Sequence, residues 1–182
     1  MSHHAHAVAA TLIVALTAAG CKDTAGPATT AGQANAVSAS VASSTGGDHS
    51  LINGQEIQWG DTPPCFLPGA KLAVIQGNPF ATEGEWAVRL IFPDGYVVDP
   101  HWHPTDENVT VLSGTLLFGM GTQFDERAMT AYGKGGFFTA RANHPHYVRA
   151  RGRTEIQLHG LAPFALHYLD HPQPHGTLPD CG

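Results

Sequence analysis

A chain of 182 residues with a formal net charge of −6 and a sequence pI near 6.0 offers no Lys/Arg block to meet phosphates, which sets nucleic acid aside as a partner. Charged residues make up only 13% of the chain, whereas it has 21 Gly and 13 Pro, a mix that fits a turn-rich β protein better than a helical one. The length suits one ordinary domain with some sequence to spare.

The first segment reads as an address. His3, His4 and His6 are among 12 histidines and say nothing about the fold. Val8 to Gly20 is almost wholly Ala, Val, Leu, Ile and Thr, too short to span a bilayer as a stable helix but suited to a signal-peptide core. Ala18, Ala19 and Gly20 ahead of Cys21 resemble a bacterial lipobox, in which Cys21 becomes the lipidated first residue of the mature chain. Plain cleavage and secretion is the alternative. Lys22 is not the Asp of an inner-membrane retention signal, so an outer-membrane or surface location is preferred over a periplasmic or secreted one. Membrane contact is then expected only through the lipid. Residues 21–50 are Ala, Ser, Thr and Gly with almost no large apolar side chain, and cannot bury enough surface to offset their ordering entropy. They read as a disordered tether. The expected organisation is a signal peptide at 1–20, the tether at 21–50, and a domain at 51–182 with its core at 70–170.

With Cys21 carrying lipid, Cys65 and Cys181 are left. In an oxidising compartment an even pair tends to bridge, giving a Cys65–Cys181 disulfide; two free thiols are the alternative.

From Leu51 onward short apolar runs alternate with Gly, Pro, Asn and Asp. Strands are predicted over Lys71–Gln76, Trp86–Phe92, Val109–Leu112, Thr115–Met120, Gly136–Ala140, Tyr147–Ala150, Thr154–His159 and Phe164–Leu169. Trp86, Val88, Leu90 and Phe92 alternate with Ala87, Arg89 and Ile91 at the strand period of two. Ser113-Gly114 reads as a hairpin turn. Phe124–Tyr132 is the one stretch suited to a short helix. Many short strands between turns predict an all-β sandwich or barrel.

His101 and His103 are two apart, so on a strand both imidazoles aim at one point. Pro104-Thr105-Asp106 lets the chain bend before Glu107, which brings a carboxylate in from the next strand. His146 opens a later strand after the Asn143-His144-Pro145 turn. Three imidazoles and one carboxylate suit one divalent Mn, Fe, Ni, Co, Cu or Zn ion.

The segment from Gly95 to Gly114 resembles the first motif of the cupin superfamily, G-x5-H-x-H-x3-E-x6-G, at every defining position. A second motif, G-x5-P-x-G-x2-H, is similar over Gly135 to His146, with Arg141 and Asn143 in place of its Pro and Gly. Asn tolerates a left-handed turn, so that exchange is mild. The resemblance implies a cupin jelly-roll β-barrel, also called a double-stranded β-helix, with the metal in its mouth, and homodimers formed through strand edges. Among cupins the chain looks most like small stand-alone bacterial members of the ChrR-like type.

Pocket candidates are His144, Gln157, His159 and Tyr147. Gln157 and His159 share one strand face, either inside the barrel by the metal or outside in water. His144 either lines the mouth or points to solvent. Tyr147, Trp86, Trp102 and Arg89 lean towards packing or the surface. His167, His171 and His175 lie outside the motif spacing. A cupin fold does not fix a reaction. One reading is a metal-dependent enzyme on a small organic molecule, either dioxygenase-like or an isomerase, with Glu107 as the candidate catalytic base. The alternative is a non-catalytic ligand-binding or sensor module at the envelope, and a third reading is a metal that only stabilises the barrel.

Overall fold

The computed structural model describes residues 51–169 and 174–182. The signal peptide at 1–20, the tether at 21–50, Cys21 and His171 lie outside the described residues. Among the described residues no helix is long and apolar enough to cross a membrane.

Among the described residues nine strands form one hydrogen-bonded system: β1 (Gly60–Asp61), β2 (Lys71–Gln76), β3 (Glu85–Phe92), β4 (Val97–Trp102), β5 (Glu107–Met120), β6 (Thr130–Gly133), β7 (Phe137–Ala140), β8 (His146–Leu161) and β9 (His167–Tyr168). Every pairing between them is antiparallel. The two long strands, β5 and β8, each serve two faces. Residues 107–113 of β5 pair with β7 and with 155–160 of β8, which in turn pairs with β3. Residues 115–120 of β5 pair with β6 and with 146–151 of β8, which also pairs with β4. Two curved layers thus share two bent strands, the jelly-roll arrangement.

The bend corrects one sequence expectation. Ser113-Gly114 is not a hairpin turn; Val109–Leu112 and Thr115–Met120 are one strand with a kink. Register shifts fall at 111/113 and 113/115, and Gly114 has φ +75°. A Cβ on Gly114 would lie 2.5 Å from the Arg153 carbonyl oxygen and 2.7 Å from the Thr154 Cα, so only glycine lets β8 approach here. Thr154, fully buried, bonds across the kink, accepting from Thr115 N (3.2 Å) and donating to Thr115 O (3.1 Å). In the same way Tyr147–Ala150 and Thr154–His159 are halves of β8. The short helix expected at Phe124–Tyr132 is instead a single 3-10 turn at Glu126–Ala128 followed by β6. Pairing with β5 overrides the weak local preference there.

Inward positions of the two layers meet in one apolar core that includes Trp86, Val88, Leu90, Val109, Val111, Leu116, Phe118, Ile156 and Leu158. On β8 the buried Ile156 and Leu158 alternate with partly or fully exposed Glu155, Gln157 and His159, which fixes the inner and outer faces. Cys65 and Cys181 form a disulfide, with Cα atoms 5.6 Å apart and 116 residues of separation. Cys181 also pairs by both backbone bonds with Leu166, so the chain's end is held against the barrel.

Candidate metal centre

Strand register brings the histidines together. His101 and His146 are directly opposed in the β4–β8 pair, next to a shift in β4 between Val98 and His101. His103 follows the end of β4, and its ring stacks on Phe164 at 4.6 Å. Glu107 opens β5 beside Gly160 and Ala140. The loops carrying these residues are tied to each other. The Asp106 carboxylate accepts from Ala142 N (2.8 Å) and Arg141 Nη1 (2.7 Å), and those two donors hold its pKa below the usual value. The His103 carbonyl accepts from Asn143 N at 2.8 Å. Asn143 has φ 60°, the left-handed turn that glycine provides in the second cupin motif. Arg141, where the motif has Pro, stiffens the turn through Asp106.

The metal-facing atoms of His101, His103 and His146 lie within 4.8 Å of one another, and all three residues are buried. Each Nδ1 meets a backbone carbonyl: Asp99 O for His101 (2.7 Å), Ala165 O for His103 (2.7 Å) and His144 O for His146 (3.0 Å). A carbonyl can only accept, so each Nδ1 carries the proton and each Nε2 keeps its lone pair. Backbone bonds of this kind orient metal-binding imidazoles. The His103 Nε2 is buried with no hydrogen-bond partner. Glu107 Oε2 lies 3.6 Å from that nitrogen and 4.0 Å from His146 Nε2. Two donors each about 2 Å from a shared ion stand about 3–4 Å apart, so these spacings fit a bound cation.

Electrostatics agree. Burial, then the neighbouring His146 and His103, holds His101 well below the usual histidine value. Burial lowers His103 to about 4 and lowers His146. All three are therefore neutral near pH 7, the form that ligates. Burial pushes Glu107 up to about 7, an expensive place for a carboxylate unless a cation faces it.

The histidines and Glu107 line a cavity of about 30 Å³, room for about two waters. Its other walls are apolar, among them Val98, Val109, Phe138, Ile156, Leu158 and Phe164. The pocket candidates His144, Gln157, His159 and Tyr147 do not line it. Gln157 and His159 face outward on β8, where Gln157 accepts from Arg89 Nε at 3.1 Å. His144 is exposed. Tyr147 is buried on the far side of β8 from His146, against Phe124, and donates to Asp125 O. His167 pairs with Asp180, and His175 with the buried Asp99. The apolar lining from residues 66, 164 and 166 carries only weak sequence signals, the apolar Phe66-Leu67 beside Cys65 and the short run Phe164–Leu169.

Residues 88–161 match the family model described as the cupin domain. No curated protein matches the chain. Among solved structures it is similar to the polyketide cyclase RemF from Streptomyces resistomycificus, at 11% identity over 68% of this chain and 87% of that one, TM-score 0.56. It is also similar to a candidate acetylacetone dioxygenase from Methylibium petroleiphilum PM1, at 16% identity over 72% and 85%, TM-score 0.54. At these identities the likeness shows the fold alone. With the motif match, the strand pairing and the buried histidine cluster together, residues 88–161 carry a cupin domain.

Proposed function

We propose that His101, His103, His146 and Glu107 hold one divalent first-row transition metal, and that the domain acts as a metal-dependent enzyme of dioxygenase-like type on a small organic molecule. The observation that carries the metal reading is the gathering of three imidazoles, each fixed by a backbone bond at Nδ1, about a point where the buried His103 Nε2 has no hydrogen-bond partner. A metal here would supply Lewis acidity or redox chemistry and open positions for small ligands. The protein's part is to hold the imidazoles in one tautomer and to keep bulk water out with an apolar wall. Glu107 is the carboxyl that lines the cavity and so the candidate proton acceptor. A tight apolar space favours a small apolar co-substrate such as dioxygen. The same lack of polar wall groups favours a second reading, a non-catalytic ligand-binding or sensor module.

Export with a lipid at Cys21 belongs to this proposal, and the Cys65–Cys181 bridge supports it, because disulfides persist in oxidising compartments. So does pairing into a homodimer. The test is turnover by protein of known metal content. Protein loaded separately with each candidate metal is offered phenolic, oxalate-like and thiol compounds while oxygen uptake is followed. Uptake with one metal supports the enzyme; none with any metal refutes the oxygenase form. Loss of acyl labelling in Cys21→Ala tests the anchor.

A further inference from the structure

We infer that Phe66 is a gate between an external groove and the histidine cavity, and that the Cys65–Cys181 disulfide holds this gate shut. The inference deepens the metal reading and rests on it for its biological use, though not for its geometry. A groove of about 540 Å³ lies outside the barrel, walled by Pro63, Pro64, Pro68 and Leu178 with Asp61 and Thr62 at its polar side. The inner cavity holds about two waters. Among the described residues Phe66 alone is common to both linings, partly buried between them.

The segment bearing Phe66 is clamped at neighbouring residues. Tyr168 Oη donates to Cys65 O (2.8 Å), and Tyr96 Oη donates to Leu67 O (2.6 Å). The disulfide joins Cys65 to Cys181, which pairs with Leu166, itself part of the cavity wall. Two parts of the cavity wall are thus stapled together. The backbone around Phe66 is held and its ring packs against the core, so passage from groove to cavity requires that ring to swing aside. The ligand it admits is a small organic molecule with an apolar body, which rests among the prolines, and a head of a few atoms that passes the ring to the imidazoles. Phe66 sets the size of that head.

Access is read in the metal-free protein by modification of histidines with diethyl pyrocarbonate, followed by peptide mass spectrometry. The exposed His144 and His159 serve as internal references. Phe66→Ala is expected to raise the relative rate at His101, His103 and His146 by about tenfold or more, and Phe66→Trp to lower it. A Cys65→Ala/Cys181→Ala pair is expected to raise it as well. Unchanged relative rates in both Phe66 variants overturn the gate. So does a faster rate in Phe66→Trp, or a rise in Phe66→Ala accompanied by loss of the β circular-dichroism spectrum, since either reports general loosening. Cobalt(II) titration of the wild-type chain is run beside it. Absence of cobalt binding defeats the metal reading and leaves the access result standing by itself.

Discussion

Glu107→Gln separates the metal centre from the fold. Glu107 is buried, 8% exposed, and burial raises its carboxyl pKa from an ordinary 4.5 to about 7. The folded, metal-free chain therefore holds this proton more tightly than the unfolded chain does. Its contribution to stability is complete below pH 4.5 and is lost as pH rises to about 7. At about 1.4 kcal/mol per pH unit the loss reaches about 3 kcal/mol. Gln keeps the shape and has no proton to lose. In chelator-treated protein, guanidinium denaturation should show Glu107→Gln matching wild type near pH 4.5 and exceeding it by about 3 kcal/mol at about pH 8. His101 and His103 titrate in both proteins, whereas His146 in the variant also loses the Glu107 charge that raises its pKa. With metal present the order should reverse, because a direct ligand is gone, and affinity should fall by about 100-fold or more. A metal-free variant less stable than wild type at about pH 8, or one that binds cobalt as tightly, would refute the reasoning.

Gly114→Ala should cost about 2–4 kcal/mol in thermal denaturation, since it adds a Cβ at φ +75° against the Arg153 carbonyl and Thr154. Asn143→Gly should stay within about 0.5 kcal/mol of wild type, whereas Asn143→Val should lose about 1–2 kcal/mol and weaken cobalt binding, because this left-handed residue sets the turn before His146. Replacing both Cys65 and Cys181 with Ala should lower stability by about 4–5 kcal/mol, the chain-entropy value for a loop closed across 116 residues, measured as a shifted denaturation midpoint.

Much of this molecule is written in local pattern. A short apolar run marks β2 to the residue and period-two alternation marks β3 to within one, and the spacing of His101, His103, Glu107 and His146 points to one site, because strand geometry makes i and i+2 share a face. The oxidising-compartment argument named the pair that the structure joins as a disulfide. Tertiary structure decided the rest. Ser113-Gly114 has the composition of a reversal, and only the partner strand β8, bending at the same level, makes it a kink within one strand. Gln157 and His159 could face either way, because alternation reveals that two faces differ but a polar face can lie inside a ligand-binding barrel; the pairing of Ile156 and Leu158 with inward residues settles it. The cavity's small size and the position of Phe66 between groove and histidines depend on contacts between segments about a hundred residues apart, and side-chain packing at that range leaves no periodic mark in a single sequence.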